Sequence, residues 1–249
     1  MRKTIIISTG AGISADSGIS TFRDSDGLWE KHKVEDVATL SGFNRNPQLV
    51  WDFYKARHDQ LFSVKPNDAH IAISKFQTRA ENLGYNVVLL TQNVDRLHHA
   101  AGSINAHEIH GNLHDVKCSF CDFVDDTQKY WESIEIPECP KCQALLRPNI
   151  VWFGEMPDQN AYYAVSDKIV DCAVLLVVGT SCQVQPAAGL VYRAAQLRAH
   201  VYECNLERAI FNAYDNYHMR RGRASITVPE VCNTIYNKLL SGSIESSYF

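Results

Sequence analysis

Cys118-Ser119-Phe120-Cys121 and Cys139-Pro140-Lys141-Cys142 flank the 17 residues 122–138, and no other feature of the chain restricts its fold so tightly. Each Cys-x-x-Cys turn sets two thiolates on one side of a knuckle, and two knuckles at this separation complete the tetrahedron of a four-cysteine zinc site. A closed shell leaves no position for water, so the metal is expected to be structural. Such a site contributes about 10–16 kcal/mol of apparent binding free energy, enough to fold a segment too small for its own core. Two disulfides or a redox dithiol are the competing readings. The other four of the eight cysteines, Cys172, Cys182, Cys204 and Cys232, are scattered, which suits a reducing compartment.

A chain of 249 residues can hold one large domain or a domain with insertions. Its 45% hydrophobic and 21% charged residues are those of an ordinary globular protein, not a disordered one. A net charge of -4 argues against affinity built on broad phosphate neutralisation, so no direct nucleic-acid partner is expected. Arg220, Arg221 and Arg223 form the one tight basic cluster, read as a solvated loop. Arg2 and Lys3 precede only the short apolar run Ile5 to Ile7, and Ala173 to Val178 is far below the ~20 residues of a membrane span. A soluble, cytoplasmic, monomeric protein with no membrane contact is expected.

Thr4 to Thr9 reads as a buried strand, followed by Gly10-Ala11-Gly12-Ile13-Ser14-Ala15 as Gly-x-Gly-x-x-Ala. Glycines there permit a tight turn and close approach to a pyrophosphate, while a following helix offers free N–H groups. No acidic residue ends a second strand about twenty positions on, so ordinary dehydrogenase use is not supported. Residues 17–33 read as a lid around Phe22-Arg23, or as a plain surface loop. Asn46-Pro47 starts a helix on which Val50, Tyr54, Arg57 and Leu61 share one stripe. Arg57 either snorkels to solvent or, with Tyr54, holds a substrate carboxylate. Further strands at 86–90, 173–178 and 201–204 alternate with helices at 69–83, 160–169 and 187–197. That order predicts an α/β doubly wound parallel sheet.

Between strand and cysteines lies Thr91 to Gly111, TQNVDRLHHAAGSINAHEIHG. Gln92, Asn93 and Asp95 stand at a strand's carboxyl end, where open α/β sheets bind ligands. Asn93 could equally cap the helix that DRLHHAA forms before Gly102. His110, beside the flexible Gly111, titrates near ~6.5 when unperturbed and can serve as a base at neutral pH; a packed histidine is the plainer reading.

Taken in order, GAGIS (10–14), FR (22–23), TQNVD (91–95), HG (110–111), the four cysteines, GTS (179–181) and NLE (205–207) resemble the sirtuin family along nearly the whole chain. Tyr54-Lys55-Ala56-Arg57 is similar to the Tyr-x-x-Arg of its compact desuccinylase-type members. The resemblance implies a Rossmann-like NAD domain (1–29, 86–112 and 156–249) with a small domain from a helical module (30–85) and a zinc module (113–155). It implies NAD-dependent removal of acyl groups from protein lysines, with nicotinamide, free lysine and O-acyl-ADP-ribose as products. His110 would be the base and Asn93 its catalytic neighbour. NAD would lie along Gly10, Ala11, Gly12, Ser14, Ala15, Phe22, Arg23 and Trp29, then Gln92, Asn93 and Asp95. Its adenosine would meet Gly179, Thr180, Ser181, Asn205, Leu206, Glu207 and Ala224. An acyl-lysine peptide would pair with a strand at Val151 to Glu155, contributed by Val151, Phe153, Gly154 and Glu155, with Tyr54 and Arg57 at the acyl group. Val94 replaces the isoleucine common in the family, a small change. A protein ADP-ribosyltransferase and a non-enzymatic, NAD-sensing zinc-ribbon adaptor are the alternatives.

Overall fold

The computed structural model describes residues 3–20, 28–29, 32–210 and 216–244. Phe22 and Arg23, and with them most of the expected lid, lie outside the described residues. In chain order the elements begin with β1 (Thr4–Thr9), β2 (Leu28–Trp29), β3 (His32–Lys33), α1 (Val34–Val37), α2 (Leu40–Arg45), α3 (Pro47–Leu61) and α4 (Asp68–Glu81). Next come β4 (Asn86–Thr91), α5 (Leu97–Ala100), β5 (Ala106–Glu108), β6 (Gly111–Cys118), β7 (Val124–Asp125), α6 (Lys129–Glu132) and β8 (Leu146–Ile150). The chain closes with α7 (Gln159–Ser166), β9 (Cys172–Val178), α8 (Ala187–Gln196), β10 (His200–Asn205), β11 (Tyr217–Arg221) and α9 (Ala224–Leu240).

Six strands form a parallel sheet in the order β11-β10-β9-β1-β4-β5. Both faces are covered, which explains why β1, β4 and β9 are continuous apolar runs instead of alternating ones. Ile5, Ile7, Leu89, Leu176 and Val178 pack with α4 and α9 on one face. Ile6, Leu90, Leu175 and Val177 pack with α7 and α8 on the other. From β1 the chain runs to β4 and β5 on one side and returns through β9 to the other. That reversal creates a crevice at the carboxyl ends of β1 and β9, where ligands of such sheets bind.

A third core joins α1–α3 to the three-stranded β7-β6-β8 sheet through Trp51, Phe53, Tyr54, Val116, Trp131, Leu146 and Trp152. The segment 30–85 therefore divides. Its first helices belong to this core, whereas α4 places Ala69, Ile73 and Phe76 in the main sheet layer beside α9.

Two local expectations are corrected. Residues 151–155 are not a strand: β8 stops at Ile150, and only an isolated bridge joins Phe153 to Thr39. Glu155 N–H returns to the Trp152 carbonyl (3.0 Å) and Gly154 has φ +90, so the segment closes as a turn. The basic cluster is not a loop either. Arg220 and Arg221 belong to the edge strand β11; Arg220 pairs with Glu230 (2.7 Å) and Arg223 with Asp16 (3.5 Å). Among the described residues no helix is long and apolar enough to cross a membrane.

Candidate functional site

At the crevice two turns touch. Gly12 N–H donates to the Gly179 carbonyl (2.8 Å), and Gly10 N–H to that of Val178 (3.0 Å). A Cβ on Gly12 would sit 2.7 Å from Gly179 Cα, and one on Gly179, whose φ is +59, would sit 2.4 Å from Ile13 N. These glycines are thus required by contact between the β1 and β9 turns, before any ligand is considered. Ala11 opens a short 3-10 turn, and Ala15 is exposed on the next one. That second turn is tied to the start of α9, where Ser225 Oγ donates to Asp16 Oδ2 (2.6 Å) beside Ala224.

The polar group after β4 is organised around Ser14. Its hydroxyl donates to Asp95 Oδ2 (2.6 Å) and accepts from Asn93 Nδ2 (3.0 Å). His70 Nδ1 accepts from Asn67 N–H (3.3 Å), which leaves its Nε2–H to face Ser14 Oγ (3.4 Å). Both lone pairs and the proton of Ser14 are thereby used, so it braces Asn93 and Asp95. The Asp95 carboxylate also accepts from Leu97 N–H (2.9 Å); the cap position of α5 is Arg96, not Asn93, and it makes no side-chain cap bond. Beneath them Thr9 and Thr91 join the ends of β1 and β4 (3.0 Å), and His98 Nε2 lies 3.0 Å from Thr9 Oγ1.

His70, His98, Thr9 and Thr91 were not singled out as site residues. His70 lies 56 positions from Ser14, and the visible signal was only its place three residues after the cap Asn67. Burial pushes the His70 imidazole down to about 4, against the pull of Asp95. The unfolded chain takes up that proton near 6.5, so between the two values it binds more protons and stability falls as pH drops. A loss of about 3 kcal/mol is expected from this group between pH 7 and pH 4. Urea midpoints across that range measure it, and His70→Gln should flatten the slope; equal slopes would remove the assignment.

His110 joins both sides of the crevice. Its Nδ1 lies 3.1 Å from the Gln92 carbonyl, an acceptor only, so Nδ1 carries the proton and Nε2 the lone pair. Its own carbonyl accepts from Val151 N–H (2.9 Å). Burial lowers its pKa below the usual value, and the bond to Gln92 opposes that shift only in part. Gly111 allows this placement: its φ is +74, and a Cβ there would lie 2.0 Å from the Asn149 carbonyl oxygen.

On the far side Thr180 is the hub. Its hydroxyl accepts from Gln92 Nε2 (3.0 Å) and its carbonyl from Asn205 Nδ2 (2.8 Å). Ser181 is half-buried next to it, while Leu206 and Glu207 are exposed. The wholly buried Glu203 holds the chain after β10 by accepting from Ala209 N–H (2.7 Å) and the Tyr217 hydroxyl (2.7 Å).

Beyond His110, Cys118 Sγ lies 3.5 Å from Cys142 Sγ, and Cys121 Sγ lies 3.6 Å from the sulfurs of Cys139 and Cys142. A tetrahedron with metal–sulfur bonds of ~2.3 Å has edges of ~3.8 Å, so the four thiols fit zinc. All four are free thiols, well beyond the ~2.05 Å of a disulfide.

Set against known proteins, residues 10–186 match the profile of the Sir2 family. A relative from Pyrococcus furiosus is 44% identical over 91% of this chain and 91% of its own length. One from Escherichia coli is 45% identical over 98% of this chain and 86% of its own. Both are named NAD-dependent protein deacylase. The chain belongs to the Sir2 family. The crystal structure of a Sir2 homologue in complex with NAD superposes with a TM-score of 0.83 at 36% identity, covering 95% of this chain and 91% of that one.

In this sirtuin the donor set suits the family's cosubstrate, NAD. Neutral amides and hydroxyls (Gln92, Asn93, Thr180 and Asn205) and one carboxylate meet in the switch-point crevice, which matches a nicotinamide and two riboses better than a bare anion. The residues expected at the acyl-lysine peptide lie in different surroundings. Tyr54 is fully buried and its hydroxyl accepts from Trp152 Nε1 (3.1 Å). Arg57 lies on the Phe53 ring, 3.3 Å from its centroid, and donates to the Phe53 carbonyl (2.5 Å). Phe153 and Gly154 are exposed, whereas the Glu155 carboxylate turns inward to accept from Trp152 N–H (2.9 Å) and Arg147.

Proposed function

We propose that this sirtuin is an NAD-dependent protein-lysine deacylase that removes succinyl and malonyl groups in preference to acetyl. The deacylase names of relatives matched along most of their length support the reaction class. One observation carries the reading to the residues: His110 is bonded through its ring to Gln92 on the NAD side and through its carbonyl to Val151 on the expected peptide side. Base, cosubstrate wall and substrate wall meet in one residue.

NAD, when bound, would supply the ADP-ribosyl group that accepts the acyl chain, with nicotinamide as the leaving group and one water molecule consumed as the free lysine is released. Gln92, Asn93 and Asp95 hold its nicotinamide half; Ser14 and His70 keep the last two in one geometry. Thr180, Ser181, Asn205 and the start of α9 at Ala224 take the adenosine half. His110 Nε2 removes the proton of a ribose hydroxyl, and its burial keeps the imidazole neutral for that task. Holding both reactants in one crevice supplies the orientation the transfer needs. The exposed backbone at Phe153 and Gly154 receives the acyl-lysine peptide, and a cytoplasmic setting suits the free cysteines.

Arg57 sets the acyl preference. Its contact with the Phe53 ring is exchanged for the carboxylate of a succinyl or malonyl group, with Tyr54 fixed beside it by Trp152. A charge-assisted contact is worth about 1.5–3 kcal/mol, roughly ten- to a hundredfold in discrimination. Acetyl-, malonyl- and succinyl-lysine peptides compared with NAD should show that preference, and Arg57→Met should collapse it. An unchanged succinyl-to-acetyl ratio of kcat/KM in Arg57→Met would sink the assignment. Mass spectrometry should find free O-acyl-ADP-ribose; an ADP-ribosylated protein instead would favour the transferase.

A further inference from the structure

Trp131 lies on α6, inside the segment bounded by the two cysteine pairs, yet its ring is not spent on that segment. It is 1% exposed and stacks on two rings of α3. Trp51 lies 5.1 Å away with the planes 10° apart, and His58 lies 4.4 Å away at 4°. Trp51 and His58 are seven residues apart, two helical turns or ~10.5 Å along the axis. The two stacking distances nearly fill that interval, so the indole is wedged between them, one ring on each face. Trp131 Nε1 donates to the His114 carbonyl (3.1 Å), and Lys55 Nζ donates to the Trp131 carbonyl. Tyr54 and Arg57 project from the same helix, within the turns that the wedge spans.

The segment 122–138 has only the two residues of β7 and the four of α6 as regular structure. Such a segment cannot hold an indole in place by its own packing; the thiols that bound it do so when they share a metal. We propose that Trp131 is a positioning residue that couples the four-cysteine module to acyl recognition by α3. It fixes the rotation and axial setting of the helix that carries Arg57. The inference rests on the role proposed above for Arg57. Loss of the metal frees the segment, withdraws the wedge and lets α3 shift, so acyl-peptide recognition weakens before the NAD crevice, built on the main sheet, is affected.

The test uses the full, zinc-loaded chain with Trp131→Leu, Trp131→Phe and His58→Leu, the last lying outside the cysteine segment. Zinc content, hydrogen exchange of α3 and α4 amides, and KM for succinyl peptide, acetyl peptide and NAD are measured. In Trp131→Leu and His58→Leu with full zinc content, α3 amides should exchange about tenfold faster or more while α4 is unchanged. KM for the succinyl peptide should rise about fivefold or more with KM for NAD unmoved, and the succinyl-to-acetyl ratio should fall toward that of Arg57→Met. Trp131→Phe should keep most of the wild-type α3 protection and acyl-peptide KM. If Trp131→Leu loses zinc or does not fold, His58→Leu decides. Wild-type α3 protection and acyl KM in a zinc-loaded variant would overturn the proposal. An Arg57→Met enzyme that keeps its succinyl preference would overturn only the carboxylate reading, since the α3 exchange rates stand apart from it.

Discussion

Replacing His110 with alanine is expected to lower kcat/KM for an acyl-lysine peptide by about 10²–10⁴, the range a positioned base contributes, while the fold and NAD affinity stay near wild type. The expectation follows from the tautomer. The main-chain carbonyl of Gln92 can only accept, so the ring keeps its proton on Nδ1 and offers Nε2, and burial lowers the pKa so that this neutral form dominates at pH 7. The sign of the pH profile is determined by the same facts. Wild-type kcat/KM should be level at neutral pH and fall on the acid side, below the usual histidine range, as Nε2 is protonated. His110→Ala should lack that acid limb. Steady-state rates from pH 5 to 8, with NAD binding by calorimetry, measure both. A variant within about threefold of wild type would end the role of His110 as base.

Removing the thiol shell should have the other large effect. Cys121 is within 3.6 Å of two partner sulfurs, and a shell of this type is worth about 10–16 kcal/mol of apparent binding free energy. Cys121→Ser, or a strong chelator on the wild-type chain, is therefore expected to unfold the cysteine-bounded segment and end deacylation. Amides of β6 and β8 should lose protection, whereas those of β1, β4 and β9, buried in the main sheet, keep it. One equivalent of zinc should be released on chelation and restore activity when returned. A purified chain with no bound zinc, full activity and protected β6 and β8 amides would refute this.

Much of the frame was legible from residue pattern. β1 and β4 were placed within a residue of their limits because strands covered on both faces are continuous apolar runs with glycine or polar residues at their ends. The start of α3 was legible because its cap is local: Asn46 Oδ1 accepts from Leu49 N–H (3.2 Å). β11 was not, since an edge strand reading Tyr-His-Met-Arg-Arg buries too little to need an apolar pattern. The turn at residues 151–155 was misread for a related reason: Val-Trp-Phe has strand composition, but the turn at Gly154 and the inward Glu155 depend on Arg147 and Trp152. At the crevice, contact between the Gly12 and Gly179 turns, and between Gln92 and Thr180, joins residues that the motifs carry in separate stretches. The individual partners of these side chains were not legible, as with α5, whose cap position is Arg96 and not Asn93.

By itself the sequence determined whatever is decided within a few residues. Cys-x-x-Cys spacing selects the metal shell because thiols two residues apart share a turn. The apolar runs select a sheet covered on both faces, and the glycines after β1 mark a turn that tolerates no Cβ. Tertiary structure alone decided which polar groups meet. Ser14, His70, Asn93 and Asp95 come from separate stretches, Ser14 and Asp95 lying 81 positions apart, and Trp131 reaches Trp51 and His58 from the other module. No periodicity links such residues. Their contact follows from how the sheet orders its strands and how two modules close over one core, because a hydrogen bond or a ring stack is short-ranged and exists only once packing has brought its partners together.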